Sequence, residues 1–209
     1  MEIHPPERPL HSVKDVLLQL TIVTIGILIA LSLEGLVGWR SDRALVREAR
    51  ARLAQEIRDN KRFVDDALKG LPALVEGHKR ALVLIGDRLH HRKSTIQELQ
   101  LTYSSVLLSD SSWRTAQATG AIGHMGYAEV QKYTDVYSLQ AEAMRLQERT
   151  LDVAVAEAQR MEFEDLNELS DAELESWKQQ VLATLSHFRA EGNIAKALST
   201  SYAEALAKP

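Results

Sequence analysis

Apolar residues run almost without interruption from Val16 to Trp39, and Glu34 is the one charge among them. A hydrocarbon core about 30 Å thick takes about 20 helical residues, so the stretch predicts a single transmembrane helix over 16–39. From Ser41 the pattern changes. Val46, Ala49, Leu53, Ile57, Asn60, Val64 and Leu68 recur at steps of three and four with Arg, Glu and Asp between them, which predicts an amphipathic stalk continuing out of the membrane to about Gly70. Glu56 and Asn60 lie in this segment without interrupting it. Gly70-Leu71-Pro72 is expected to end the stalk, since Gly suits a helix C-terminus and Pro the first turn of the next helix. That next helix is expected over 72–91, with Leu74, Val75, Ala81, Leu82, Leu84, Ile85 and Leu89 on a broad apolar face.

Capping patterns punctuate the rest. Ser94-Thr95-Ile96-Gln97-Glu98 is a doubled capping box and predicts a short helix to about Leu108. Asp110-Ser111-Ser112 is a second start signal, for a helix that Gly120 would stop in the left-handed conformation, with Trp113, Ala116 and Ile122 facing a core. Val130, Tyr133, Tyr137, Gln140, Met144, Gln147, Leu151, Ala154, Ala158 and Met161 form a coiled-coil-like seam over 127–169, with the two glutamines at polar positions in it that could set register. Tyr133, Tyr137 and Met144 are read as core at this spacing rather than as a ligand pocket. Ser170 and Glu173 cap a final helix carrying Leu174, Trp177, Val181, Leu185, Phe188, Ala195, Leu198 and Tyr202 on one face, with a kink or break expected at Gly192-Asn193. The fold class is therefore all-α: a tail over 1–15, a single N-terminal transmembrane helix over 16–39, and an antiparallel helical bundle over 40–209.

Composition agrees, with ten Gly and five Pro in 209 residues. The absence of cysteine excludes disulfides and thiolate chemistry, and the net charge of −4 argues against nucleic acid as a partner. Ala30-Leu31-Ser32 has the small residues of a signal-peptide cleavage site, but the apolar run continues to Trp39 and arginines follow, so a retained anchor is expected. Trp39, Arg40 and Arg43 are its interfacial anchor. Arg40, Arg43, Arg47, Arg50 and Arg52 outnumber Arg8 and Lys14 on the tail side, which places the large domain in the cytoplasm by the positive-inside rule.

Candidate chemistry is sparse. Gly26, Ala30, Glu34 and Gly38 recur every four residues and form a small-residue stripe suited to close approach of a second helix in lipid. Glu34 either bends outward to the interface past Trp39 or is protonated or hydrogen-bonded across a helix pair. His78, His90 and His91 lack the spacing of a metal site. Glu162, Glu164, Asp165 and Glu168 read as a solvated helix end rather than a cation loop. Gly120 to Gly126 lacks the Lys-Ser or Lys-Thr of a phosphate loop. No catalytic residue, metal or cofactor is expected.

The run Gly26-Ile27-Leu28-Ile29-Ala30-Leu31, then Trp39 and a charged helix, then SSWRTAQATGAIGHMGYAEVQKYTDVY, resembles a group of uncharacterised bacterial single-pass membrane proteins. Besides Gly26, Ala30 and Trp39, the residues that carry the resemblance are Trp113, Gly120, Ile122, Met125 and Tyr137. It implies a bacterial inner-membrane location and names no reaction. The expected function is a non-enzymatic interaction or scaffold module that self-associates through its span or binds an unidentified membrane protein. The alternative is a sensor-type ligand-binding domain coupled to the membrane through the stalk.

Overall fold

The computed structural model describes residues 13–96, 99, 101, 103, 105–163 and 168–207. Among them are four α-helices and no strand: α1 (Val13–Leu89), α2 (Ser111–Ala118), α3 (Tyr127–Phe163) and α4 (Asp171–Leu206), with one turn of 3-10 helix at Ala121–His124 after α2. The protein is an all-α helical bundle. Residues up to Arg47 form one compact unit and those from Glu48 another.

In the first unit, α1 is exposed along the whole of residues 16–39, and its most apolar window has a mean hydropathy of 2.5 with none of it buried. By length and composition the helix can cross a membrane. The hydroxyls of Thr21, Thr24 and Ser32 donate to the carbonyls of Leu17, Leu20 and Leu28 one turn back, at 2.8, 2.8 and 2.6 Å. These polar groups are thereby satisfied inside the helix, as an apolar solvent requires.

In the second unit the helix directions follow from the contacts. Along α1, Arg50, Glu56, Asn60 and His78 meet Glu129, Tyr137, Gln140 and Glu157 of α3 in ascending order, so these two helices run parallel. Asp65, Leu71 and Ile85 meet Ser199, Gly192 and Trp177 of α4 in descending order, so α4 is antiparallel to both. Leu53, Ile57 and Ile85 of α1, Val136 of α3, and Trp177, Val181, Phe188, Leu198 and Tyr202 of α4 are closed off from solvent and form the core.

The stalk and the helix expected over 72–91 are one element. Pro72 lies inside α1. It removes one N–H from the ladder, but Val64 on one side and Ala81, Leu84 and Ile85 on the other are buried in the same core, and this shared burial keeps the helix going. α1 stops at Leu89, where His91 adopts a φ of 53° and Arg92 N–H closes onto the Asp87 carbonyl at 2.7 Å.

The helix expected over 94–108 does not form: the described residues from Arg92 to Asp110 are non-helical. Ser109 returns to hydrogen-bond with Asn60, and from Asn60 to Leu89 α1 covers about 43 Å at 1.5 Å per residue. The roughly twenty residues from Leu89 to Ser109 would span only about 30 Å as a helix but about 65 Å extended. Only an extended strap reaches. The Ser94 hydroxyl accordingly accepts from Ile96 N–H at 3.2 Å, two residues on, as in a turn; Gln97 and Glu98 lie outside the described residues.

At Ser170 the same kind of pattern does make a capping box: its hydroxyl accepts from Glu173 N–H, and the Glu173 carboxylate accepts from Ser170 N–H at 2.8 Å. α4 continues unbroken through Gly192-Asn193. Gly192 is buried, and a Cβ on it would lie 2.6 Å from Leu71 Cδ2, so the glycine serves close helix approach rather than a kink.

Candidate functional site

The strap is held by side-chain amides. Asn60 Oδ1 accepts from Ser109 N–H at 3.0 Å, and its Nδ2 donates to the Ser109 carbonyl at 2.7 Å. Gln140 Nε2 donates to the same carbonyl at 3.0 Å, while its Oε1 accepts from Tyr202 at 2.6 Å. Further back, Gln147 bonds both ways with the Val106 backbone, each bond 2.9 Å. Asn60 at Ser109 and Gln147 at Val106 thus pair with an extended chain as a neighbouring strand would, and Gln140 adds a second donor to the Ser109 carbonyl. Between them the three amides satisfy the N–H and the carbonyl of both Val106 and Ser109.

Glu56 fixes the end of the strap and the start of α2. Its Oε2 accepts from Ser109 Oγ, Ser111 Oγ and Ser112 N–H, each at 2.8 Å, and its Oε1 accepts from Tyr137 at 2.7 Å. Burial would raise its pKa, but these hydrogen bonds, led by that from Ser112 N–H, outweigh burial and hold it below the ordinary glutamate value. Asp110, expected as the cap of α2, makes no cap hydrogen bond and pairs with Arg114 instead. Glu56 caps the helix in its place.

Trp113 stacks on Tyr137 with centroids 5.4 Å apart and planes 7° apart, and Tyr133 lies 6.4 Å from the same ring. Gly120 follows α2 at φ 74°, and Met125 is buried beyond it. Ile122 is half-buried. Trp113 and Tyr137, far apart in the chain, therefore meet in one packing node; no contact is described that brings Gly120, Ile122 and Met125 into it.

Between α1, the strap, α3 and α4 lies a cleft of about 780 Å³. Its walls are Val64, Leu68, Leu71 and Leu74 from α1, Val106 and Leu108 from the strap, Ala143 and Met144 from α3, and Ile194, Ala195 and Leu198 from α4. Phe63 and Leu107, 45% and 85% exposed, stand on the lining where it meets solvent. Met144, read as core from its spacing, lines this cleft; Tyr133 and Tyr137 do not.

The polar part of the lining is Asp66, Tyr103, Ser105, Gln147 and Glu191. Tyr103 donates to Glu191 Oε1 at 2.8 Å and its ring stacks on Phe188 at 5.8 Å. Burial pushes the Glu191 carboxyl above its ordinary pKa, against hydrogen bonds from Thr150 and Tyr103. The Tyr103 phenol is raised as well, by burial first and then by Glu191. Asp66 is paired with Lys69 at 2.7 Å.

A second buried polar group lies beside the cleft. His78 Nδ1 is 2.8 Å from the Leu74 carbonyl, its Nε2 is 3.6 Å from Glu157 Oε2, and its ring meets Phe188 edge-on at 4.8 Å. Thr184 donates to Glu157 Oε2 at 2.6 Å. Burial raises the Glu157 pKa, opposed by Thr184 and His78. Among the described residues no group of three or more His, Asp or Glu is arranged to hold a metal ion.

Of the span residues, Gly26, Ala30, Glu34 and Gly38 are all exposed, and nothing lies within 4 Å of a Cβ built on Gly26 or Gly38. The Arg43 guanidinium sits 4.0 Å over the Trp39 ring, a cation–π pair at the end of the apolar run, and Arg40 is exposed. Of the acidic group at the end of α3, Glu164 and Asp165 lie outside the described residues. The cleft residues Tyr103 and Glu191 carried no signal in the sequence, Gly192 showed only as an expected kink or break, and Gln147 only as a polar position in an apolar seam.

Fold and site define an all-α helical bundle with an apolar-walled cleft and one helix apolar enough to cross a membrane. No protein-family model, curated protein or solved structure matches this chain.

Proposed function

We propose that the chain is a single-pass, membrane-anchored protein whose helical bundle binds a small apolar molecule. Of the ligand-binding and scaffold readings, the first is supported by one observation above all: a cleft of about 780 Å³ walled mainly by apolar side chains of three helices and the strap. Ligand sites commonly enclose roughly 300–1,000 Å³ and combine apolar walls with a few fixed polar groups. α1 carries both the apolar span and one wall of the cleft, which suits a sensor that reports to a membrane partner.

The test compares wild type with Gly192→Ala in lipid nanodiscs. The new methyl must displace the end of the Leu71 side chain, and the open space beside both residues is the cleft. The gain in helix propensity, about 1 kcal/mol, offsets the displacement, so the variant is expected to melt close to wild type. An apolar fluorescent dye such as Nile red is expected to show saturable emission with wild type, above that of matched empty discs, and to lose it with the variant. Equal emission from the two proteins rejects the cleft as a ligand site.

The scaffold reading rests on the exposed stripe of Gly26, Ala30, Glu34 and Gly38. If the span self-associates, Gly26→Leu with Ala30→Leu is expected to turn an oligomer into a monomer by mass in mild detergent. A monomeric wild type removes this reading. Placement in a bacterial inner membrane, with the bundle in the cytoplasm, follows the resemblance and the arginine excess. Labelling of single cysteines, introduced into a chain that has none, from either side of the membrane decides it.

A further inference from the structure

The polar residues of the cleft are uneven in charge. Asp66 and Glu191 are acidic, Tyr103, Ser105 and Gln147 are neutral, and among the described residues no Lys, Arg or His lines it. Asp66 is already matched by Lys69 on its own helix. Glu191 receives hydrogen bonds from the hydroxyls of Tyr103 and Thr150, and His187, one turn back on α4 and outside the cleft lining, acts on it through space. A carboxylate oxygen has lone pairs for more than one donor, so both oxygens can still accept. An anionic amphiphile entering this cleft would meet the Glu191 carboxylate, whereas a cationic one would bring that half-buried carboxylate a charged hydrogen-bond donor from within the cleft.

We infer that the cleft takes a lipophilic amine, with its apolar body against Val64, Leu68, Met144 and Ile194 and its protonated nitrogen donating to Glu191. This deepens the ligand-binding reading and rests on it. The volume, about 780 Å³, accommodates a fused-ring or medium-chain body, and Met144 and Phe63 give such a body a polarisable wall. Tyr103 fixes the acceptor: stacked on Phe188 and bonded to Oε1, it holds the carboxylate toward the cleft without neutralising it.

The test uses the full chain in nanodiscs of uncharged lipid, titrated calorimetrically with three probes of one shape: a naphthylmethyl amine, the matching alcohol and the matching naphthoate, with empty discs as blank. The amine is expected to bind at least about tenfold more tightly than the alcohol, the gain of a charge-assisted hydrogen bond, and the naphthoate most weakly. Glu191→Gln keeps an acceptor for Tyr103 and is expected to fold; it should bring the amine to the level of the alcohol and leave the alcohol unchanged. Gly192→Ala should weaken all three. Equal binding of amine and alcohol to wild type, or an amine affinity unchanged in Glu191→Gln, overturns the amine assignment and leaves the cleft as a ligand site. No heat above the blank from any probe overturns the assignment, and retained dye binding then shows that the ligand-site reading survives it.

Discussion

Glu56→Ala is expected to destabilise the bundle by about 2–4 kcal/mol, because it strands donors that have no other partner. Glu56 is 8% exposed and accepts from four groups. Ser109 and Ser111 can turn their hydroxyls to water. The Tyr137 hydroxyl is buried, and the Ser112 N–H stands at the start of a helix whose own cap residue makes no cap bond. Glu56→Gln retains one acceptor oxygen and is expected to lose less. Urea unfolding of the three proteins at neutral pH orders them; an alanine variant within experimental error of wild type would mean that water replaces the carboxylate at no cost.

The same carboxylate sets an acid dependence whose sign follows from its pKa. Its folded value lies below the unfolded one, so its contribution is present above the unfolded value of 4.5 and is lost as the pH falls through the folded value. The gap between wild type and Glu56→Ala is therefore expected to narrow as the pH falls below 4.5. Glu157 and Glu191 act in the opposite sense. Burial raises both, so their protonated forms favour the native state, and that contribution fades as the pH rises through their folded values. Acid loss in wild type thus points to Glu56 among these three.

The apolar N-terminal stretch of α1 and the two long C-terminal helices were legible because their signals are local. Hydropathy alone marks residues 16–39, a seam of period three to four marks α3, and Ser170 with Glu173 marks the start of α4. Where the sequence misled, a distant contact had overridden a local preference. Pro72 reads as a helix start, yet α1 passes through it because both flanks bury in one core. Ser94 reads as a cap, yet the chain has to return along the length of α1 and can do so only extended.

The cleft was illegible for a related reason. Leu71, Tyr103, Gln147 and Glu191 converge only once the parallel register of α1 with α3 and the antiparallel register of α4 are known. The polar residues in the apolar seams were the available clue. Asn60, Gln140 and Gln147 are the clamps of the strap, and a buried amide at a seam position asks for a backbone to pair with. Gly192 offered the opposite hint, a glycine within a strong helix pattern, which marks close approach as readily as a break.

Trp177→Ala is expected to cost about 3–5 kcal/mol, as for other large aromatic deletions in closed cores. Trp177 is 0% exposed and packs in a cluster with Ala81, Ile85, Leu174 and Val181. Leu99 and Leu101 of the strap and Leu169, just ahead of α4, lie against the same cluster, so the first half of the strap rests on a cluster of which the indole is the largest member. Its Nε1 has no hydrogen-bond partner among the described residues. An unpaired buried N–H costs about 1–3 kcal/mol, so Trp177→Phe gives up ring volume but removes that cost, and the two changes should leave it within about 1 kcal/mol of wild type. Urea midpoints for the pair separate packing from polarity. A phenylalanine variant as unstable as the alanine one would mean that the indole N–H is bonded in solution. Hydrogen exchange at Val106, whose amide is held by Gln147, adds the link to the cleft. If the cluster supports the strap, Trp177→Ala quickens exchange there under conditions where α3 stays protected, whereas loss of protection in both together means that the whole bundle has opened.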